Sequence, residues 1–305
     1  MTIYPSLRVS ANGAVALVDA VDQGFKVVSV PDRTVRFAGT YENVVDLALS
    51  GFGESLGILK STDEFVVVRG GQQHRYDLPR ERARIRAFAL SDAGDRLALA
   101  LGGDGSGALE VWSLPAGDGP LAATVLPVIE RCAVAANPGL SHISVVATTG
   151  GGGPDLRAVY AVPGDGSAEL TSVWTEGGAP LAGTAVALSD EWVWLARADG
   201  LAGWREGETE PVVLPGTAFE RLVYSPTGSH LLAARVERLA GITGAEMLFR
   251  LFDLATLTEV ARATQVIERE TEAHPVVSPE LSLLIARATR AGEIEMQEYD
   301  LVRSG

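Results

Sequence analysis

The sequence predicts an all-β protein, a seven-bladed β-propeller of four-stranded antiparallel blades, on three observations. A short strand–turn–strand pattern recurs seven times along the 305 residues. Its spacing matches the blade period of a propeller. The chain also holds 34 glycines and 15 prolines, the supply of turn residues that many short strands need.

The repeated unit is an apolar strand, a serine or asparagine, a turn with Gly, Asp or Pro, and a second apolar strand. The copies are LRVSANGAVALV, LALSGFGESLGIL, FALSDAGDRLALAL, VAANPGLSHISVVA, VALSDEWVWLA, LVYSPTGSHLLAA and VVSPELSLLIA. Their turn-entry residues are Ser10, Ser50, Ser91, Asn137, Ser189, Ser225 and Ser278, separated by 40, 41, 46, 52, 36 and 53 residues. A Ser or Asn side chain at the first turn position hydrogen-bonds backbone groups about two residues on, and Pro, Gly or Asp favours the next positions. The flanking strands are apolar almost throughout, as expected where blades stack and both faces of a sheet are buried.

Composition bounds the function. Apolar residues make up 47% and charged residues 21%, enough to build a core. The net charge of −14 argues against a nucleic-acid partner, which needs a basic surface. The single cysteine, Cys132, excludes an intrachain disulfide framework and a multi-cysteine zinc site, and reads as a small hydrophobe on an inner strand. No secretory signal and no apolar run of about 18 residues is present, so a cytoplasmic location without membrane insertion is expected. Only Lys26 and Lys60 are lysines, and the arginine-rich balance suggests a GC-rich bacterial source.

A third strand follows most repeats and ends in an aromatic, as in LEVWSL, LFRLFDLATLTEV and IEMQEYDLV. Here the chain resembles the WD-repeat family and related bacterial propellers with a Ser-Pro-Asp-Gly turn. Val111–Trp112–Ser113–Leu114, Leu251–Phe252–Asp253–Leu254 and Glu298–Tyr299–Asp300–Leu301 occupy the place of the family's Trp-Asp signature. The family's Gly-His dipeptide is missing, so the chain is a divergent member. The resemblance spans essentially the whole chain and implies a single propeller domain, 1–305, with blades near 6–39, 44–79, 85–128, 131–175, 184–215, 220–267 and 274–301. The seventh lacks a fourth strand. Thr2 to Pro5 are expected to supply it, closing the ring with the N-terminal strand.

Antiparallel strands place the loops between second and third strands on the same face as the inter-blade connections. The length in excess of the basic period falls in those loops, at 102–107, 149–156 and 236–245, and in the inter-blade stretches 80–86 and 268–274. Loops on a rigid scaffold are where binding resides, although loop length also drifts without consequence. The residues expected to meet a partner are Arg80, Arg82, Arg84, Asp104, Asp155, Arg157, Glu237 and Arg238. Trp204, near a turn, is the expected exposed anchor. Arg75, Arg80, Arg82, Arg84 and Arg86 form a basic island suited to carboxylates. Asp77 and Glu81 interleave with them, and alternate arginines on a strand point to opposite faces, so solvated or internally paired arginines are the favoured reading of the island.

No catalytic, cofactor or metal constellation stands out. His74, His142, His230 and His274 form no pair at ligand spacing. Gly-Asp-Gly at 103–105, 117–119 and 164–166 reads as turns rather than calcium loops. The ionisable residues of the inner strands are Arg8, Asp46, Arg86, Arg131, Glu220, Arg221 and His274. They sit at strand starts, which suggests a charged rim around apolar strand middles. The expected function is a non-catalytic scaffold or adaptor subunit of a bacterial multi-protein assembly, bound to another protein. The alternatives are a channel-site enzyme such as a lactonase-like hydrolase, as some seven-bladed propellers are, or a small-ligand sensor.

Overall fold

A computed structural model gives the fold. It describes residues 6–20, 24–103, 105–149, 155–164, 168–178, 186–197, 199–205, 210–239, 244–268, 273–289 and 293–303. The expected closing strand, Thr2 to Pro5, lies outside the described residues.

Blade 1 contains β1 (Ser6–Val9), β2 (Val15–Ala20), β3 (Gly24–Ser29) and β4 (Val35–Gly39). Blade 2 contains β5 (Val44–Leu49), β6 (Ser55–Lys60), β7 (Glu64–Arg69) and β8 (Gln72–Asp77). A single 3-10 turn, Arg82–Arg84, leads into blade 3, formed by β9 (Ile85–Leu90), β10 (Arg96–Leu101), β11 (Gly107–Ser113) and β12 (Ala122–Leu126). Blade 4 holds β13 (Ile129–Ala136), β14 (His142–Thr149), β15 (Asp155–Ala161) and β16 (Thr171–Gly178). Blade 5 holds β17 (Val186–Leu188), β18 (Trp192–Arg197), β19 (Gly200–Arg205) and β20 (Val212–Pro215). Blade 6 is formed by β21 (Arg221–Tyr224), β22 (His230–Leu239), β23 (Gly244–Asp253) and β24 (Thr258–Glu268). Blade 7 comprises β25 (His274–Val277), β26 (Leu283–Ala288) and β27 (Ile294–Tyr299). The last strand, β28 (Val302–Arg303), adds to the outer edge of β24. These are meander sheets of antiparallel neighbours, the blades of a seven-bladed β-propeller.

The seven serine and asparagine turns build the hairpins between first and second strands. All seven residues are buried. Each side chain accepts a backbone N–H across its turn: Val15 to Ser10 at 3.0 Å, Ser55 to Ser50 at 3.0 Å, Arg96 to Ser91 at 3.1 Å and His142 to Asn137 at 2.8 Å. Trp192 to Ser189, His230 to Ser225 and Ser282 to Ser278 complete the set at 3.0, 3.1 and 3.1 Å. The reach is usually four or five residues, longer than the two expected, because an extra residue in the left-handed region closes the turn. In blade 3 that residue is Gly94, φ +67°, while blades 4 and 7 place Leu140 and Leu281 there at φ 55° and 66°.

The chain divides into two compact units, residues 41–181 and residues 1–40 with 182–305. In the first, blades 2, 3 and 4 stack through shared apolar clusters. Phe65 of blade 2 meets Phe88 of blade 3 edge-on at 5.3 Å, and Leu109, Val111, Ile143 and Val145 join blades 3 and 4. The hairpin turns of these blades also meet. The Asp92 N–H donates to the Pro138 carbonyl at 2.8 Å, and a side chain at Gly51 would press on Pro138. In the second unit, Trp192 and Trp194 stack at 5.2 Å within the core joining blades 5 and 6. Met247, Phe249 and Ile267 pack against blade 7. Val276, Ala286 and Ile294 of blade 7 pack against Leu7, Ala16 and Val28 of blade 1. Blade 7 therefore meets blade 1, the join at which a propeller closes.

Candidate functional site

The basic island spans the end of β8, a 3-10 turn and the start of β9 rather than one continuous strand, and this sorts its arginines. Arg75 pairs with Glu64 at 3.4 Å. Arg80 reaches back to buried Glu110 on β11 with two parallel bonds of 2.9 and 3.1 Å. Glu110 also accepts the Trp112 indole N–H at 2.9 Å, and the Arg80 guanidinium lies 4.9 Å above the Trp112 ring. This bidentate, stacked arrangement suits the planar fork of arginine. The Glu110 hydrogen bond raises the Arg80 pKa further. Arg80 is thus committed to the interior rather than free to meet a partner.

Arg82 and Arg84 sit on the 3-10 turn. Arg84 lies alongside Gly103 and is exposed. Arg82 is half-buried, and its Nε–H is buried with no acceptor. Arg86 follows on β9, exposed, with only a 3.5 Å bond from Nη1 to the Ala83 carbonyl. Among the described residues no carboxylate pairs with Arg82, Arg84 or Arg86. Arg82 and Arg86 line a cleft of about 170 Å³ with Val45, Asp46, Leu59, Ile85 and Ala87. Asp46 faces the same cleft, and its Oδ1 accepts the Leu47 N–H at 2.8 Å. Sequence reading placed Arg86 both in the basic island and among the ionisable inner-strand residues, named Asp46 only among the latter, and gave Val45 no role.

The second elaborated segment is the extension of blade 6. β22, β23 and β24 run 10, 10 and 11 residues, against 3 to 8 in the other blades. The outer half of the extension pairs Arg238 with Glu246 and Glu246 with Val266 across three strands. Glu237 holds Arg235 at 2.7 Å, and Arg238 pairs with Glu246. Leu239 and Val266 are 74% and 56% exposed there. One side of the extension, Ala245, Met247 and Ile267, is buried in the core shared with blade 7.

The remaining expected residues are dispersed. Asp104 lies outside the described residues. Asp155 opens β15, and Arg157 lies two residues further along the same strand, half-buried and already engaged. Trp204 overturns an expectation. It is only 9% exposed, because β19 is a central strand of blade 5 and cross-strand Val193 fixes its register. It packs rather than projects.

Burial shifts three titratable groups, Cys132, His274 and Asp92. Burial pushes the Cys132 thiol up to about 11, so it is no thiolate at neutral pH. Burial, with Arg221 nearby, holds His274 down to about 4. Burial likewise raises the carboxyl of Asp92, against the Phe52 N–H donated to it at 3.1 Å. Among the described residues no group of three or more His, Cys, Asp or Glu side chains is placed to hold a metal ion. No helix among them is long and apolar enough to cross a membrane.

No family model and no curated protein matches the chain. Solved structures match it in fold. A crystal structure of the eukaryotic initiation factor aligns with TM-score 0.56 at 14% identity, over 97% of this chain and 78% of that one. Hydrazine synthase of Kuenenia stuttgartiensis aligns with TM-score 0.50 at 11% identity, over 97% and 95%. The β-propeller domain of Myceliophteria thermophila Cps50 (Swd1) aligns with TM-score 0.47 at 17% identity, over 75% and 78%. At these identities the likeness extends to the fold alone.

Proposed function

We propose that this propeller is a non-catalytic docking platform, an adaptor subunit that binds another protein through the loops joining second and third strands. The observation that carries the reading is the blade 6 extension. Strands of 10 and 11 residues project a sheet rim beyond the length its blade core needs, and that rim exposes Leu239 and Val266 beside the charged pair Arg238–Glu246. Exposed apolar side chains ringed by charge are the usual composition of a protein-binding patch. The held-down His274 and the raised Cys132 thiol fit a body built for packing. A bacterial assembly in the cytoplasm is the setting the composition favours.

The test is to shorten the extension by replacing residues 237–246 with a two-residue turn. Partner capture should be lost while the protein still melts cooperatively, at a midpoint lowered by the loss of buried Ala245. Undiminished capture by the shortened protein contradicts the assignment of this face.

A further inference from the structure

We propose that the cleft between β5 and the Arg82–Arg84 turn is a binding site for a single carboxylate carried on a short aliphatic chain. At about 170 Å³ the cleft holds roughly five or six waters' worth of liquid volume. That is well below the roughly 300 Å³ at which pockets for drug-sized ligands begin. It matches a carboxylate with one to three methylenes more closely than a nucleotide or a sugar. Val45, Leu59, Ile85 and Ala87 supply the smaller, apolar part of the lining, room for a short run of methylenes, and Arg82 and Arg86 supply the donors.

Three observations on different levels converge. The first is chemical. The buried Nε–H of Arg82 has no acceptor, and buried donors are ordinarily satisfied. An anion drawn to the Arg82 guanidinium would supply an acceptor that a small shift of the side chain brings to this donor.

The second is the backbone. In the pairing of β9 with β10, Ala87 faces Ala100 and Ile85 faces Leu101, so Arg86 is the extra residue of a bulge. In the pairing of β5 with β6, Val44 faces Lys60 and Asp46 faces Leu59, so Val45 is the extra residue at the corresponding place. Bulges re-aim side chains, and both extra residues line this cleft. Blade 4 repeats the bulge at Glu130. The device is shared by the blades, whereas the arginine is particular to this one.

The third is the room left for the cations. A side chain at Gly102 would collide with the Arg86 guanidinium, and Arg84 lies alongside Gly103. The glycines of the β10–β11 loop give these side chains their places.

Charge selects the ligand. Arg82 and Arg86 contribute two positive charges and Asp46 one negative, leaving a net single positive charge among the groups lining the cleft. A monocarboxylate neutralises it, and a phosphate dianion would overshoot it. The forked geometry of arginine also matches a carboxylate. That chemistry is shared by a free short-chain acid and by a glutamate side chain of a docked protein. The second source rests on the docking reading above, and the first does not.

The experiment titrates the full chain with propionate, with inorganic phosphate and with an end-blocked Gly-Glu-Gly peptide. It follows the Arg82 Nε–H resonance by NMR and the heat of binding. Propionate or the peptide should bind saturably and shift that resonance. Affinity should fall at least tenfold in R82Q/R86Q, and should also fall in Gly102→Ala, which displaces Arg86 without removing a charge. Gly102→Ala keeps the test decisive should the double variant fold poorly. A peptide tighter than propionate identifies a docked side chain as the source, and the reverse order identifies a free acid. Absence of saturable binding by both carboxylates, tighter binding of phosphate, or unchanged affinity in the variants overturns the proposal. Loss of partner capture with propionate binding intact, or the converse, separates this inference from the docking reading.

Discussion

The arginines at 80, 82, 84 and 86 look alike in the sequence and have different fates. Arg80 is held by Glu110 and Trp112, whereas Arg84 is exposed. Breaking a bidentate pair whose carboxylate is buried leaves that carboxylate uncompensated. Arg80→Ala should therefore lower stability by about 2 kcal/mol, while Arg84→Ala should change it by less than about 0.5 kcal/mol. Chemical denaturation of the two variants measures both, and equal effects would refute the division. The seven turn-entry residues were legible because a buried serine that closes a turn is a local device with a local sequence. The re-aiming of Arg86 was not. Strict alternation assigns alternate arginines to opposite faces, and a 3-10 turn followed by a one-residue bulge breaks that alternation without a mark in the sequence. Trp204 was misjudged for a related reason: closeness to a turn in sequence says nothing of whether a strand is central.

At the scale of elements, the strand–turn–strand units and the third strands were legible from period and from the aromatics that end them. The exceptional length of β22 to β24 showed only as an excess of residues. How that excess folded, as continued pairing rather than as a loose loop, depends on cross-strand partners that a linear pattern does not name. β28 was not foreseen, since two residues joining the edge of β24 leave no periodic signal. The start of β25 carries a pH dependence. His274 has its pKa lowered to about 4 by burial and by Arg221, from 6.5 when unfolded. The fold favours the neutral ring, so this contribution is fully present above pH 6.5 and is lost as pH falls from 6.5 towards 4. For a half-buried group it amounts to about 1–2 kcal/mol. In His274→Gln the thermal midpoint should fall less steeply over that window than in the parent; parallel pH profiles would show that His274 does not contribute.

At the scale of the whole molecule, the propeller was legible because seven copies of one unit admit few other folds. The packing of blade 7 on blade 1 places the first and last blades side by side. Among the described residues β27 pairs only with β26. If Thr2 to Pro5 fill the fourth place in that sheet, as the sequence predicts, deleting residues 1–5 leaves β1 intact yet opens the join. The thermal midpoint should then drop by several degrees, and an unchanged midpoint would remove those residues from the closure. Function was less legible than fold. A propeller's blades repeat for packing, and what distinguishes one propeller from another lies in the few places where the repeat is broken, here the Arg82–Arg86 cleft and the blade 6 extension.

The most direct test of the docking account is a quantitative capture experiment comparing the parent protein with the variant shortened at 237–246, both shown by circular dichroism and thermal melting to be folded. The account predicts that a stoichiometric protein partner of the parent is depleted at least tenfold with the shortened variant. Recovery of the same partner in equal amount by both proteins would contradict it.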